Sequence, residues 1–175
     1  MDALTLLKKQ HAEVKSLFAQ FRKADDPDKQ QKLFEQIADN LAAHCEIEEK
    51  IFYPSVFLDD TEGQLKEAVE EHLSAKRVIA DLLGMDSSDS QYAAKVKVLS
   101  DLIDHHVMEE QNELFPTVRD EIGAKELKAL GAQMETMFET LIKANPRKQV
   151  PAQTRSAAKL PPRPAERSQD EAAAS

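Results

Sequence analysis

The sequence contains no tryptophan, a single cysteine and only four glycines, and each scarcity narrows the choice of structure. Sheet proteins use glycine in many turns, so its scarcity, together with 31% charged residues, favours a helical chain. The one cysteine, Cys45, cannot form an internal disulfide. The chain lacks the run of about 20 apolar residues that a membrane span requires. Its start lacks the basic and apolar regions of a signal peptide. These absences predict a cytoplasmic, all-α protein that does not enter the membrane.

Acidic residues outnumber basic ones by 32 to 23, and the formal net charge is −9. The composition changes after Asn145, where five of the eight prolines fall among Ala, Ser, Gln and Arg. Residues 145–175 hold six basic and three acidic side chains, so they carry +3 and leave −12 on residues 1–144. The acidic body repels a phosphate backbone, which predicts no nucleic-acid partner. Residues 145–175 are predicted to form a disordered Pro/Ala-rich tail whose basic charge offers a contact to a protein partner.

Apolar residues in the body recur at alternating steps of three and four, the period of helices that turn one face toward a bundle core. Pro54 and Pro116 are predicted to stop two of these helices. A weaker helix is predicted at about residues 124–143. The four main stripes are Leu4, Leu7, His11, Val14, Phe18, Phe21; then Leu33, Ile37, Leu41, His44, Glu48, Ile51; then Leu65, Ala68, His72, Ala75, Ile79, Leu82; and Tyr92, Val96, Leu99, Ile103, His106, Glu110. Residues 1–144 are therefore predicted to form an antiparallel up-down four-helix bundle with an additional C-terminal helix.

Each of the four stripes is interrupted near its middle by a histidine, and two of them by a glutamate one turn later. A lone histidine on an apolar face is usually a core residue, and a lone His/Glu pair at this spacing usually lies in solvent. Four interruptions at matching depth are different, because an ionised glutamate in a bundle core is costly unless it is paired or bound to metal. The pattern therefore predicts a metal site. Its six candidate ligands are His11, His44, Glu48, His72, His106 and Glu110.

The sequence also repeats itself, which gives an independent check on this set. The segment His44–Pro54 recurs as His106–Pro116 at an offset of 62 positions, and His11 recurs as His72 at an offset of 61. Two helical hairpins packed about a pseudo-twofold axis would bring four imidazoles and two carboxylates to one point.

A second His/Glu pair, His105 and Glu109, lies beside the selected pair and competes with it. A short apolar row leads to His105, whereas the repeat and the longer stripe lead to His106. The prediction is that His106 binds metal and that His105, about 100° away around the helix, is a surface or supporting residue.

The spacing of each His-x-x-x-Glu pair places both side chains one turn apart on one helix face, where they can bind one metal while the carboxylate reaches a second. Two such pairs give two bridging glutamates, and His11 and His72 add the remaining nitrogens, so each ion keeps an open position. Imidazole and carboxylate without thiolate suit iron or manganese, whereas structural zinc prefers a closed four-ligand site. Related bundles with di-iron carboxylate sites use Glu-x-x-His, in which the glutamate precedes the histidine. Here the histidine precedes the glutamate, so this chain belongs to a different family from those bundles.

These motifs, with a Phe-Pro or Tyr-Pro after each His-x-x-x-Glu, resemble the hemerythrin-like, or HHE cation-binding, domain over roughly residues 1–143. The resemblance implies that the six residues bind two non-haem iron ions with an oxygen-derived bridge. Oxygen-carrying hemerythrins have a fifth histidine one turn after the third-helix histidine and an aspartate as second bridge, where this chain has Lys76 and Glu110. Reversible oxygen transport is therefore not implied. The four-His, two-Glu set looks more like the di-iron domain of iron–sulfur-repair proteins.

Three functions remain open from the sequence. The first is a non-haem di-iron protein that binds or senses O₂, NO or peroxide. The second is a redox enzyme acting on peroxide or NO, and the third is an iron-binding or donor protein, for example in iron–sulfur repair or iron homeostasis. The first is preferred because no substrate pocket or separate acid/base residue is evident. Cys45 is either a redox-active thiol or a small core residue, and Tyr53 either shields the centre or packs.

Overall fold

A computed structural model of the chain describes residues 1–163, which are mostly helical and contain no β-strand. The α-helices are α1 (Ala3–Lys23), α2 (Pro27–Ile47), α3 (Tyr53–Ser55), α4 (Glu62–Leu83), α5 (Tyr92–Glu109), α6 (Phe115–Glu121), α7 (Ala124–Lys143) and α8 (Val150–Gln153). The prediction of an all-α chain is confirmed. No helix within these residues has the length and apolar character needed to cross a membrane.

Four long helices form the predicted up-down bundle. Helix α1 packs on α2, α2 on α4, α4 on α5, and α5 returns to α1, so the four surround a common core. Helix α7 is the predicted additional helix, and it lies against α1 and α2. There the backbone of Met1 comes so close to Gly131 that a Cβ at residue 131 would lie 2.4 Å from the Met1 carbonyl oxygen.

The first two helices begin at aspartates whose side chains satisfy free backbone N–H groups. Asp2 accepts a hydrogen bond from the Thr5 backbone N–H at 2.8 Å, and Asp26 accepts one from Lys29 at 3.1 Å. Pro27, which has no N–H to satisfy, occupies the first position of α2. These caps fix where α1 and α2 start, and so the height of their histidines in the bundle.

The core is divided into two apolar clusters by a polar layer that contains the four histidines. One cluster includes Leu4, Leu7, Leu65 and Leu114, and the other includes Phe18 together with residues from the opposite ends of the same helices. Along α1, α2 and α4, the histidine falls between residues of the first cluster and residues of the second. In α5 the second-cluster residues precede His106, and the chain reaches Leu114 of the first cluster just beyond the helix. The apolar packing on both sides thus holds the polar layer away from solvent.

Two π turns follow the polar layer, at Glu48–Phe52 and Glu110–Leu114. In each, an N–H donates to the carbonyl five residues earlier, Tyr53 to Glu48 and Phe115 to Glu110. A proline comes next, and an undisturbed α-helix cannot accommodate its ring and missing N–H. The prediction that Pro116 stops its helix is wrong, because the π turn carries the helical path on through α6 to Glu121. The prediction for Pro54 holds to within one residue, since α3 ends at Ser55. Such turns often accompany functional sites.

The prediction of a disordered tail from residue 145 differs from the structure over residues 145–163. Residues Pro146–Gln149 form a 3₁₀ turn that leads into α8, and Val150 is fully buried. Arg147 forms ion pairs with Glu35 and Asp39 of α2. An apolar anchor and paired charges offset the ordering entropy that the composition alone would leave uncompensated. The rest of the predicted tail, residues 164–175, lies outside the described residues.

Candidate metal centre

The structure brings all six predicted ligands together in the polar layer of the bundle. Each is at least nine-tenths buried, and Glu48 has no exposed surface. His11 comes from α1, His44 from α2, His72 from α4 and His106 from α5, while Glu48 and Glu110 begin the two π turns. Buried groups of this kind require hydrogen bonds, ion pairs or a metal to offset their desolvation.

The imidazoles face each other in two pairs through their Nε2 atoms. The Nε2 atoms of His11 and His44 are 3.1 Å apart, and those of His72 and His106 are 3.2 Å apart. One pair joins α1 to α2 and the other joins α4 to α5, so each hairpin of the repeat contributes one pair. The two pairs form two adjacent clusters of nitrogen atoms.

Each glutamate spans both imidazole pairs. Glu48 Oε2 lies 3.3 Å from Nε2 of His44 in one pair and 3.3 Å from Nε2 of His72 in the other. Glu110 Oε2 lies 3.4 Å from His11 and 3.6 Å from His106 in the same manner. Two groups of donor atoms, one with both glutamates and one with Glu48, each fall within a radius suited to one cation. Glu48 therefore belongs to both groups of donor atoms, and Glu110 belongs to one of them.

Two carboxylate oxygens in this layer have no hydrogen-bond partner among the described residues. They are Oε1 of Glu48 and Oε2 of Glu110, and both are inaccessible to solvent. A buried carboxylate oxygen without a partner is strongly unfavourable, since it has lost its water and gained nothing in return. A cation at the centre would supply the missing partner.

The far side of each imidazole is held by a polar side chain. Nδ1 of His44 contacts Gln10 Oε1 at 2.8 Å, Nδ1 of His72 contacts Glu49 Oε1 at 2.9 Å, and Nδ1 of His106 contacts Glu71 Oε2 at 2.7 Å. Each of these three partners accepts through an oxygen, so each ring donates a hydrogen bond from its Nδ1–H to its own partner. Partners of this kind fix the ring orientation and leave Nε2 free to bind metal.

The fourth imidazole is held by an amide. Nδ1 of His11 lies 2.9 Å from Nε2 of Gln111, and the same amide turned end for end would offer its oxygen to an Nδ1–H there. None of the four outward partners was selected from the sequence. A signal existed, because Gln10 and Glu71 each directly precede a predicted ligand histidine at the two equivalent positions of the repeat.

The electrostatics of the layer favour neutral imidazoles on two helices. Burial lowers the pKa of His44 well below its ordinary value, and the neighbouring His11 adds to the effect. Burial also lowers the pKa of His72, although the hydrogen bond to Glu49 opposes it. Burial acts in the same direction on His106, but there the carboxylates of Glu110 and Glu71 prevail and raise its pKa. Neutral imidazole is the form that binds metal.

The pKa values of the two central carboxyl groups are shifted in opposite directions. Burial and the nearby Glu110 carboxylate raise the pKa of Glu48 well above its ordinary value. Burial acts against ionisation of Glu110 as well, but His106 and His11 outweigh it and hold its pKa below the ordinary value. Two carboxylates so close cannot both ionise easily unless positive charge lies between them.

Tyr53 reaches the centre because the first π turn rotates it onto the face of Glu48. Its hydroxyl donates to Glu110 Oε1 at 3.0 Å and lies 3.4 Å from Glu48 Oε2 and 3.3 Å from His72 Nε2. Burial and these two carboxylates raise the pKa of the phenol well above its ordinary value. The equivalent position in the second half of the repeat is Phe115, so only one side of the centre carries a phenol.

Lys76 and Cys45 lie outside the ring of donor atoms. Lys76 Nζ binds Glu49 Oε1 at 3.0 Å, so it contacts the carboxylate that orients His72. Burial raises the pKa of the Cys45 thiol well above its ordinary value, which favours the core interpretation over a reactive thiolate.

The alternative pair His105 and Glu109 does not face the centre. The His105 side chain is 56% exposed, and its Nε2 lies 3.1 Å from Glu109 Oε1 and 3.4 Å from Glu71 Oε1. His106 is 4% exposed and turned inward. The geometry therefore follows the register that the repeat predicted.

Two openings of opposite charge reach the layer. A cavity of about 50 Å³ between α4 and α5 touches His106 and Glu110 and is otherwise lined by carboxylates, an amide and two apolar side chains. A wider depression between α1 and α5 touches His11 and carries Lys8 and Lys15 at its rim. The centre can thus be approached by an acidic route and by a basic one.

Comparisons with known proteins bear on the family and the fold of the chain. The sequence profile of the hemerythrin HHE cation-binding domain family matches residues 2–118. A crystal structure of a hemerythrin HHE cation-binding domain-containing protein from Mycobacterium kansasii superposes with a TM-score of 0.72 at 23% identity, covering 82% of this chain and 89% of that one. At this identity, the structural likeness shows a shared fold.

A curated protein from Nostoc sp., named a DNA nickase, is 29% identical over 126 residues. The matched region is 72% of this chain but 36% of the relative, so the chain spans about a third of that protein's length. The likeness therefore concerns one part of a longer protein.

Proposed function

The chain belongs to the hemerythrin HHE cation-binding domain family, and we propose that it holds two non-haem iron ions and binds or senses O₂, NO or peroxide at them. The ions would be held by His11 and His44 on one side, by His72 and His106 on the other, and by the two glutamates that span both pairs. Bound iron would supply the exchange of electrons with O₂ or peroxide, and the affinity for NO, that protein side chains lack.

One observation carries this proposal: two imidazole pairs face each other through their Nε2 atoms at 3.1 and 3.2 Å. In the second pair, both Nδ1 atoms face carboxylates, so both protons lie on the outer side and two lone pairs meet at the centre. Such an arrangement is repulsive unless a proton or a cation lies between them. Together with the unpartnered oxygens of Glu48 and Glu110, it fits two cations better than an internal hydrogen-bond network.

The donor types support iron over zinc. Four imidazoles and two carboxylates without a thiolate are typical of iron or manganese, and bridging carboxylates suit a pair of ions. Cys45, the one thiol, is buried in the core and kept protonated. The residue one turn after His72 is Lys76, which is engaged by Glu49 and offers no further nitrogen to the centre.

The surrounding residues prepare the site for a small ligand. Tyr53 holds a proton at its hydroxyl, next to Glu110 and His72, where it can hydrogen-bond a ligand that enters the layer. The apolar clusters on both sides exclude bulk water. The opening beside His11, rimmed by lysines, is wide enough for diatomic molecules and peroxide. The site therefore suits small ligands and excludes large substrates.

Iron content tests the proposal. Protein reconstituted with Fe(II) without oxygen should retain two irons per chain after desalting, and Glu48→Ala and Glu110→Ala should each lose at least one. Glu48→Gln, which keeps the side-chain volume, separates loss of a ligand from loss of packing. Glu70→Ala on the exposed face of α4 is the matched control and should retain both. One iron or none in folded wild-type protein would refute the proposal.

Stopped-flow absorption then separates the functions. The reduced, iron-loaded protein should change its spectrum on mixing with O₂, NO or H₂O₂, and the change with O₂ should not reverse under vacuum. Reversal under vacuum with recovery of O₂ would indicate an oxygen carrier. Sustained consumption of peroxide or NO would favour a redox enzyme instead.

DNA cleavage, which the name of the Nostoc relative states for that protein, is not the function we propose. The chain spans only 36% of that relative. Residues 1–144 carry −12 of formal charge, and a surface of this sign repels a phosphate backbone.

A further inference from the structure

We propose that Glu71, His105 and Glu109 form a second, solvent-facing site for a divalent cation of the Fe²⁺ or Mn²⁺ class, and that this site delivers the cation to the buried centre. The surface site stands on its own side chains. Its role in loading rests on the proposed function, since it requires a buried centre to fill.

The three side chains already have the geometry of a small ligand set. Nε2 of His105 lies 3.1 Å from Glu109 Oε1 and 3.4 Å from Glu71 Oε1, and the three donor atoms fall within 4.8 Å of one another. One imidazole and two carboxylates suit divalent iron or manganese. Because His105 is more than half exposed, a hydrated cation can reach the site and exchange its water there.

Glu71 joins this site to the buried centre. Its Oε1 faces His105 at the surface, while its Oε2 accepts a hydrogen bond of 2.7 Å from Nδ1 of His106. One carboxylate thus contacts both the surface cluster and a proposed ligand of the centre.

A cavity of about 50 Å³ leads inward from the same place. Five carboxylates line it together with one imidazole, namely Glu67, Glu71, Glu109, Glu110, Glu113 and His106. At its inner end lies Glu110, which is 3% exposed and whose Oε2 has no hydrogen-bond partner in the described part of the chain. An unpartnered buried carboxylate at the end of an acidic passage attracts a cation, and a negative cleft raises the local concentration of cations. The opening on the other side has two lysines, Lys8 and Lys15, against one carboxylate, Asp104, and so attracts cations less.

The internal repeat shows that the cluster is not a requirement of the bundle. At the offsets that relate the two halves, the counterparts of Glu71, His105 and Glu109 are Gln10, Ala43 and Ile47, and all three are buried. Helix α7 packs over that side, at α1 and α2, whereas the His105 side chain between α4 and α5 is 56% exposed. The two halves place equivalent central ligands, so the His/Glu cluster is an addition to one half only.

Binding of Mn²⁺ tests the surface site directly, with free Mn²⁺ counted from its electron paramagnetic resonance signal. Iron-loaded, oxygen-free protein should take up one Mn²⁺ per chain. His105→Ala and Glu109→Gln should weaken this binding at least about tenfold, the scale of losing one partner at a metal site. Asp101→Asn, which removes one exposed charge from the same helix, should leave it unchanged. Equal Mn²⁺ affinity in all four proteins, or an equal loss in Asp101→Asn, would overturn the site.

The loading role has a separate readout. Iron-free protein is mixed with Fe(II) under anaerobic conditions, and a strong chelator is added after increasing delays to remove all iron that is not yet buried. In His105→Ala and Glu109→Gln, filling should slow about tenfold, the lower end of the rate gain from a charged cleft. The final iron content should stay at the wild-type level. Unchanged filling rates would refute delivery, and failure of wild-type protein to retain two irons would refute the proposed centre while leaving the Mn²⁺ result to judge the surface site.

Discussion

Val150 provides a direct test of whether the segment after residue 145 belongs to the folded core. The side chain is fully buried among residues of the second apolar cluster, at the start of α8. Val150→Ala removes two methyl groups. At roughly 0.8 kcal/mol for each, plus a term for the cavity left behind, the free energy of unfolding should fall by about 2 kcal/mol.

The assay is urea unfolding at 25 °C followed by far-ultraviolet circular dichroism, with the same slope required for both proteins. Val98→Ala is the matched control, because it makes the same chemical change at a side chain that is 51% exposed. It should shift stability by less than about 0.5 kcal/mol. Equal effects of the two substitutions would show that α8 is not packed on the bundle.

Truncation after Asn145 extends the same test. It removes Val150 and also Arg147, whose side chain is 16% exposed and whose guanidinium pairs with two carboxylates of α2. The loss should exceed that of Val150→Ala, lowering the melting temperature by more than about 5 °C. A freely disordered tail, as the composition suggests, would give no loss.

Three further outcomes are expected. Gly131→Ala should lower the melting temperature by more than about 5 °C, because its Cβ would lie 2.4 Å from the Met1 carbonyl oxygen, whereas Gly63→Ala, with nothing within 4 Å, should not lower it. Burial and the Glu35 carboxylate raise the pKa of Tyr92 to about 12, and the pKa of Tyr53 is also raised, so absorbance at 295 nm should show little tyrosinate at pH 10 to 11 in folded protein. Unfolded tyrosine ionises near pH 10, so the contribution of these protonated phenols to the stability of the folded state should be complete below about pH 10 and fall as pH rises toward 12. Titration of both tyrosines near pH 10 in folded protein would contradict this. The iron-free chain should neither bind nor relax supercoiled plasmid at physiological salt, as gel electrophoresis would show, and nicking would overturn the prediction of no nucleic-acid partner.

The bundle could be predicted because its apolar stripes are long and regular. Helix α7 runs from Ala124 to Lys143, the range that the sequence predicts, and the whole first stripe, Leu4 to Phe21, lies within α1. The repeat strengthened the choice of His106 over His105. Both histidines precede a glutamate by four positions and both follow an apolar row, so the longer stripe and the offset of 62 together distinguish them.

The π turns could not be predicted from periodicity, because one extra residue per turn leaves no trace in a stripe that ends there. Only Pro54 and Pro116 signalled a disturbance, and a proline is more often the end of a helix than the sequel to a wider turn. The position of Tyr53 over Glu48 depended on that turn, which is why the sequence left its role open.

The outward partners of the imidazoles were missed for a different reason. Gln10, Glu49 and Glu71 are polar residues on helices, and most such residues point into solvent. The ordered segment after residue 145 was missed because Val150 is a single apolar residue among prolines, without neighbours that set a period. Its partners on α2 lie more than a hundred residues earlier in the chain.

Gly131 of α7 lies directly against the backbone at the start of α1, so any side chain at this position would collide with it. The family profile matches residues 2–118, so Gly131 lies beyond the matched part of the chain. A helix advances about 1.5 Å per residue and behaves as a rod over this length. A bulkier residue at 131 would displace the backbone at the start of α1, the helix that carries His11. A chain cut after residue 118 would lack this contact with the start of α1.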